Sequence, residues 1–389
     1  MKNNRKPART GLFVVLSLVT VMSLSSVSSA TGNIVKSDLT GTWQIALRGN
    51  TGCGFSSMLA NVTMNTAGVG TGTLLQHGQC GDSSVPGQTF TIKTLATNGS
   101  GTANLTCGIG CGWNLKIQVS PDRSKINLVD ISAVNPGNFV EGSAILASTA
   151  DNIVIPDLAG SWQTTLYAVD GCGNTSTLVT FALNSSGVAN NATETQHSAG
   201  CGDNTSTGNT MTIQSLNSDG SGTANLSCGL GCGWNFNIQV SPDRSTFNLI
   251  DVSSVNPGNF PAGLAVRNSS AGNISVTNLA GPWLVSLYGL NGCGDTATSV
   301  KFTLNASGVA TNATETRHSA GCGNNTSTGN TMTIQSLNPD GSGTANLSCG
   351  VGCGWNFNIQ VSPDRSTFNL ADVSAANPGN FLSGVGIHQ

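Results

Sequence analysis

Polar and apolar residues alternate most regularly in a seven-residue segment that occurs three times in the chain. The segment reads Trp-Asn-Leu-Lys-Ile-Gln-Val at 113–119, and it returns as Trp-Asn-Phe-Asn-Ile-Gln-Val at 234–240 and 355–361. Because successive side chains of a strand point to opposite faces, the apolar residues of the segment share one face. The alternation predicts a half-buried strand of an antiparallel sheet.

The same alternation, followed through the middle third of the chain, predicts eight strands and no helix. The predicted strands lie near 160–167, 177–184, 187–197, 209–217, 222–228, 233–240, 246–253 and 259–267. Short turns rich in Asn, Asp, Pro and Gly separate strands two and three, four and five, and six and seven. The other connections are longer and glycine-rich, and they carry the cysteines at the opposite end of the sheet.

This pattern repeats with a period of about 120 residues, which is the size of a domain and not of a solenoid repeat. We expect a leader at 1–30 and three repeats at 31–148, 149–269 and 270–389. Short polar segments near 147–152 and 268–273 are typical of inter-domain linkers, so each repeat is expected to fold alone.

Eight antiparallel strands of this length must close on themselves or pack as two sheets, because an open sheet leaves its edges unpaired. An all-β fold of three tandem up-and-down β-barrels is the favoured prediction. A β-sandwich in each repeat is the alternative.

The amino terminus has the layout of a secretory signal peptide, with basic residues such as Lys2 and Arg5 before an apolar run at 11–24 and Ser-Ser-Ala at 28–30. No later run approaches the ~20 apolar residues of a membrane helix. Charged residues form 8% of the chain and the net charge is −3, which disfavours nucleic acid or an anionic membrane as partner. We expect a secreted, periplasmic or cell-surface protein.

Twelve cysteines divide evenly among the repeats: Cys53, Cys80, Cys107, Cys111, Cys172, Cys201, Cys228, Cys232, Cys293, Cys322, Cys349 and Cys353. Even counts at repeated spacing in an exported chain indicate disulfides. The turns after strands one and three of a meander are neighbours, so Cys172 with Cys201 is the favoured long bridge and Cys228 with Cys232 the short one. Zinc is the alternative, because Cys-x3-Cys has ligand spacing; no metal or cofactor is predicted.

Two short motifs recur at matching places. Gly-x-Trp opens the first strand at 41–43, 160–162 and 281–283, and Pro-Asp-Arg forms the turn between strands six and seven at 121–123, 242–244 and 363–365. The pair resembles the Gly-x-Trp signature and the Asp-containing turn of lipocalins and avidins, the calycin-like barrels. The resemblance implies a last-strand arginine that covers the tryptophan; Arg267 matches it, whereas Leu146 and His388 stand in the other repeats.

Titratable residues form no catalytic constellation that the sequence reveals. Glu194 with His197, and Glu315 with His318, are three positions apart, so on a strand they point to opposite faces, and we expect solvated strand ends there. No nucleophile motif and no phosphate-binding loop occurs. The chain is therefore predicted not to be an enzyme.

Three aspartates, Asp130, Asp251 and Asp372, continue the apolar face of the seventh strand. In a regular strand each points inward near the cysteine-bearing mouth and is a candidate ligand-binding group, because a buried carboxylate needs a partner. A bulge that turns it outward, or a bond to a loop amide, is the alternative. The six tryptophans are expected to be structural core residues: Trp43, Trp113, Trp162, Trp234, Trp283 and Trp355.

These observations favour an exported, non-catalytic protein that binds a small or glycan-like ligand, or a surface partner, outside the cytoplasm. Eight-stranded barrels have room for packed side chains or for one small ligand. The alternative is a structural or adhesive surface array whose barrels are filled.

Overall fold

The protein folds into three closed eight-stranded antiparallel barrels, in which each strand pairs with the next and the last pairs with the first. The computed structural model describes residues 32–52, 54–107, 112–131, 137–149, 152–227, 233–252, 258–348, 354–373 and 379–389. The predicted leader lies outside these ranges, as do six cysteines: Cys53, Cys111, Cys228, Cys232, Cys349 and Cys353. No helix within the described ranges has the length and hydropathy to cross a membrane.

The strands of the three barrels follow the chain without crossovers. Barrel 1 contains β1 (Gly41–Thr51), β2 (Gly54–Met64), β3 (Val69–Gly78), β4 (Gly81–Leu95), β5 (Ser100–Thr106), β6 (Gly112–Val119), β7 (Lys125–Asp130) and β8 (Phe139–Leu146). Barrel 2 contains β9 (Gly160–Asp170), β10 (Gly173–Leu183), β11 (Val188–Ser198), β12 (Gly202–Leu216), β13 (Ser221–Ser227), β14 (Gly233–Val240), β15 (Thr246–Ile250) and β16 (Ala262–Arg267). Barrel 3 contains β17 (Gly281–Asn291), β18 (Gly294–Leu304), β19 (Val309–Ser319), β20 (Gly323–Leu337), β21 (Ser342–Ser348), β22 (Gly354–Val361), β23 (Thr367–Ala371) and β24 (Phe381–His388). The eight-stranded barrel is confirmed, and the sandwich is excluded.

Two hairpins of barrel 2 are longer than predicted. In barrel 2, β10 begins at Gly173 and β12 at Gly202, whereas the sequence pattern placed their starts near 177 and 209. Residues such as Asn204 and Thr205 pair directly with β11. The prediction of long loops there was wrong, because a polar segment without apolar alternation still completes its hydrogen bonds within a hairpin.

A disulfide ties the two hairpin turns of barrel 2 together. Cys172 follows β9 and Cys201 follows β11, and their Cα atoms lie 5.2 Å apart across the bond. The corresponding bond of barrel 3 joins Cys293 and Cys322, with a Cα separation of 5.3 Å. Both pairings follow the predicted neighbourhood of the turns after strands one and three. Cys107 of barrel 1 is also disulfide-bonded.

The opposite end of each barrel is closed around the tryptophan of the first strand. Trp162 donates its indole N–H to the carbonyl oxygen of Leu158 at 2.8 Å, within a short 3-10 turn, Ile155–Leu158, that precedes β9. The Arg267 guanidinium lies over the Trp162 ring at 5.7 Å from its centroid. In barrel 3 the His388 ring takes this place, 4.8 Å from the Trp283 ring. Three barrels closed in this way fit a calycin-like fold.

The three barrels pack against one another in a ring. His77 of barrel 1 contacts Phe260 of barrel 2, with ring centroids 4.8 Å apart. His197 of barrel 2 contacts Phe381 of barrel 3 at 4.6 Å. His318 of barrel 3 contacts Phe139 of barrel 1, also at 4.6 Å. Because each barrel contacts the next in the same way and the third returns to the first, the repeats have an approximate threefold arrangement within one chain.

One lysine joins the three barrels at the Pro-Asp-Arg turns. The Lys125 ammonium lies 3.0 Å from Asp243, 3.1 Å from Asp364 and 3.5 Å from Asp122. Burial lowers the pKa of Lys125, but the three carboxylates outweigh this effect, so the pKa is raised above its usual value. The three carboxylates have the spacing of a metal site, and the ammonium already supplies the cation among them.

A buried ion pair and an aromatic cluster also lie in the contact between the barrels. The Arg48 and Glu141 side chains form an ion pair of 3.0 Å, and Ser286 of barrel 3 donates its hydroxyl to Glu141 at 2.7 Å. The rings of Tyr167 and Tyr288 meet edge to face at 5.1 Å. The expectation that each repeat folds alone stays a prediction. An isolated repeat would lack these contacts between barrels.

Candidate functional site

A cleft of about 320 Å³ opens at the cysteine-bearing mouth of barrel 2. Its lining includes Asp170, Glu194, Gln196, Asn204 and Trp234. These residues come from strands that the sheet brings together only after the barrel closes, because β9, β11, β12 and β14 are not all neighbours. The Cys172–Cys201 bond lies beside the cleft and joins two of the turns at this mouth.

Register explains why Glu194 points into the barrel. It pairs with Val179 on β10, and Gln196 pairs with Thr177. Val179 belongs to the interior apolar cluster of barrel 2, and directly paired residues of an antiparallel sheet share a face. Glu194 and Gln196 are therefore on the interior face, while His197 is on the outer face toward barrel 3.

The sequence-based expectation of solvated strand ends was wrong for this segment. Glu194 is 7% exposed and His197 is 4% exposed. Their opposite orientation is as predicted, but each face is covered: the inner one by the barrel and the outer one by Phe381 of barrel 3. Neighbouring barrels, which single-strand periodicity does not reveal, account for the burial of the histidine.

The Glu194 carboxyl is held in an unusual electrostatic environment. Asn209 donates its amide to Oε2 at 3.3 Å, and no cationic side chain among the described residues forms an ion pair with Glu194. Burial, followed by the negative charge of Asp170, raises the pKa of Glu194 to about 6. Burial likewise raises the pKa of Asp170, against hydrogen bonds from the Cys172 amide and the Thr175 hydroxyl. The cleft thus gathers two carboxyl groups beside a tryptophan.

Barrel 3 has the same framework with two changes. Arg317 stands where barrel 2 has Gln196, and its guanidinium lies 2.6 Å from the Glu315 carboxylate. The same guanidinium lies over the Trp355 ring, 5.5 Å from the centroid. Asn291 replaces Asp170. Barrel 3 therefore contains its own cation between the glutamate and the tryptophan.

Barrel 1 has an apolar residue at the position of Glu194. Leu74 pairs with Ala60, and Gln76 pairs with Met58, so these residues correspond to Glu194 and Gln196. Leu74 is buried in the interior cluster with Trp113. No carboxylate takes the place of Glu194 in this barrel.

The three aspartates predicted as ligand-binding groups are all fully buried: Asp130, Asp251 and Asp372. Asp130 pairs with the interior residue Leu115, as expected for a strand that stays regular. The backbone amide of Asp251 donates to Pro261 at 3.0 Å. None of the three lines the cleft of barrel 2, and their role in ligand binding stays a prediction.

All six tryptophans are buried, and Trp234, at 7%, is the most exposed of them. Trp234 therefore belongs both to the core and to the lining of the cleft. Sequence reasoning missed the cleft residues Glu194 and Gln196 as a unit. Aligning the repeats of this chain with one another would have found them, because Gln196 is replaced by Arg317 while the glutamate two residues earlier is retained.

Comparison with known proteins gave structural matches of low similarity. No family model and no curated protein matches the chain. A kievitone hydratase from Nectria haematococca is 10% identical, with a TM-score of 0.22 over 62% of this chain and 96% of that one. Transferrin binding protein B from Haemophilus parasuis Hp5, a Trp-to-Ala mutant, is 10% identical, with a TM-score of 0.28 over 86% of this chain and 66% of that one. At these scores the matches carry no functional argument.

Proposed function

We propose that this chain is an exported, non-catalytic binding protein whose ligand site is the mouth of barrel 2. The observation that carries the proposal is a buried glutamate, Glu194, that lines a cleft beside Trp234. No cationic side chain among the described residues forms an ion pair with this glutamate. A carboxylate in such a place is costly unless it is paired. A ligand that supplies the missing partner would stabilise the folded protein.

The disulfides support the location. Disulfides form and persist in oxidising compartments, which include the periplasm, the cell surface and the extracellular space. The Cys172–Cys201 bond joins the turns that border the cleft, so it would keep the site open in the absence of a ligand. A preformed site loses less conformational entropy when it binds.

The alternative of a filled structural array describes the other two barrels. Leu74 stands at the position of Glu194 in barrel 1, and Arg317 supplies a cation to Glu315 in barrel 3. On this view barrels 1 and 3 stabilise the ring in which barrel 2 presents its site. The protein would combine one binding module with two structural ones.

A thermal-shift screen of the full chain tests the proposal. The library should contain small cations, anions and neutral saccharides, and the variants should be Gln196→Arg, which fills the cleft from within, and Gln76→Arg, the same change in barrel 1. We expect at least one ligand class to stabilise the wild type and Gln76→Arg but not Gln196→Arg. No stabilisation by any class, or equal stabilisation of both variants, would contradict a ligand site in barrel 2.

A further inference from the structure

Barrel 3 shows how a cation fits the interior mouth of this fold. Its Arg317 guanidinium donates to Glu315 Oε1 through both Nε, at 3.0 Å, and Nη2, at 2.6 Å. The face of the same group lies against Trp355. Two charge-assisted hydrogen bonds to one carboxylate oxygen, together with an aromatic face, are contacts that suit a planar guanidinium.

Barrel 2 keeps the receptor groups and lacks the cation. Glu194 and Trp234 occupy the places of Glu315 and Trp355, and Asn209 donates to Glu194 as Asn330 does to Glu315, at 3.3 and 3.4 Å. Gln196 is shorter than arginine and neutral. The two barrels therefore differ in whether the chain itself supplies the positive group.

The charge of Asp170 is not needed for the turn that it forms. Asp170 Oδ1 accepts the Cys172 amide at 2.7 Å and the Thr175 hydroxyl at 3.2 Å. In barrel 3 the neutral Asn291 accepts the Cys293 amide at 2.8 Å and the Thr296 hydroxyl at 3.2 Å. The amide oxygen of Asn291 forms the same turn in barrel 3. The negative charge of Asp170 therefore adds nothing to the turn, and its effect is to give the cleft a second carboxyl group.

We infer that the ligand presents a guanidinium group, which barrel 2 binds between Glu194 and Trp234 as barrel 3 binds its own Arg317. This inference rests on the proposed function and adds the chemical class of the ligand to it. Asp170 adds long-range attraction for the cation. An ammonium group would bind more weakly, because it lacks the planar fork and is more strongly hydrated. An anionic ligand would be repelled.

Isothermal titration of the full chain near pH 7.5 tests the inference with four probes. These are n-propylguanidinium, n-butylammonium, the neutral n-propylurea, and a blocked Gly-Arg-Gly peptide. We expect one site per chain for n-propylguanidinium, with at least tenfold weaker binding of n-butylammonium and of n-propylurea. Tighter binding of the peptide would identify an arginine side chain of a polypeptide as the source, and equal or weaker binding would identify a free small molecule.

Three variants locate the site. Gln196→Arg should lower the n-propylguanidinium affinity at least tenfold, and Glu194→Gln should do the same without filling the cleft. Arg317→Gln should raise the number of sites from one to two, provided that circular dichroism shows a folded protein. Gln76→Arg is the matched control, and its affinity should equal that of the wild type.

The experiments distinguish failure of the inference from failure of the proposed function. If n-propylurea binds as well as n-propylguanidinium and Gln196→Arg abolishes that binding, the cation inference is overturned while the proposed function stands. If n-propylguanidinium binds Gln196→Arg and the wild type equally, the cation lies elsewhere and the inference is overturned. If none of the four probes binds, the inference is overturned, and if the thermal-shift library also stabilises nothing, the proposed function is overturned with it.

Discussion

Barrels 2 and 3 share almost the same sequence through half of their length, yet their mouths differ in chemistry. Residues 207–260 and 328–381 differ at five positions, and the strand pairing of the two barrels is the same. The change from Gln196 to Arg317 and from Asp170 to Asn291 converts a mouth with two carboxyl groups into one with a paired arginine. Under the proposed function, barrel 3 has lost a binding site because Arg317 fills it, without any change in fold.

The largest expected effect comes from the aromatic residue that the two mouths share. Trp234→Ala and Trp355→Ala should each lower the free energy of unfolding by about 3–5 kcal/mol, as large-to-small core changes do. Trp355→Ala should be the more damaging, because it also removes the surface under Arg317. Urea unfolding measures both. An effect below about 1 kcal/mol for either variant would show that the tryptophan is not part of the core.

Removing the internal cation of barrel 3 should have the next largest effect. Arg317→Gln leaves Glu315, which is 2% exposed, without its cationic partner. We expect a loss of about 2–3 kcal/mol, less than for a fully buried pair because the Arg317 side chain is 20% exposed. The double variant Glu315→Gln, Arg317→Gln should recover most of that loss. If the single variant is as stable as the wild type, the pair contributes little to barrel 3.

The pH dependence of stability should distinguish the wild type from Glu194→Gln. The folded-state pKa of Glu194 is about 6 and the ordinary value is 4.5, so folding favours the protonated acid. Stability from this group is greatest below pH 4.5 and falls as the pH rises through 6, by about 2 kcal/mol. The wild type minus Glu194→Gln difference in unfolding free energy should show this fall. A difference that stays flat from pH 4 to 7.5 would contradict the buried environment of Glu194.

The smallest effect is expected from copying barrel 3 into barrel 2. Gln196→Arg should raise the unfolding free energy by about 1 kcal/mol near pH 7, because the new guanidinium pairs with Glu194 and lies over Trp234. Gln76→Arg in barrel 1 should give no gain, since Leu74 offers no carboxylate. Equal effects of the two substitutions would mean that the glutamate and the tryptophan do not form a cation site.

Much of the barrel could be predicted from the sequence. Alternation within 234–240 identified a strand, the neighbourhood of turns in a meander identified Cys172 with Cys201, and the resemblance to calycin-like barrels anticipated Arg267 over Trp162. These inferences are local, or they follow from one closed topology. Each depends on residue types, such as cysteine and tryptophan, that occupy only a few kinds of position in a barrel.

The mouth of barrel 2 and the packing of the ring were harder to predict. Glu194 lies in a polar segment whose periodicity does not distinguish a barrel interior from solvent, and Trp234 reaches the same cleft from a strand distant in sequence. Outward residues such as Tyr167 and Lys125 are buried by other barrels, which the pattern of a single repeat cannot show. The low content of charged residues, 8%, is consistent with a chain that buries outer barrel faces.

A crystal structure of the full chain grown with n-propylguanidinium is the most direct test of a cation site confined to barrel 2. We predict planar density over Trp234 within hydrogen-bonding distance of Glu194, and no added density at Trp355, where Arg317 should remain. A cleft filled by the chain's own side chains, or guanidinium bound in barrel 3 with Arg317 displaced, would contradict the account.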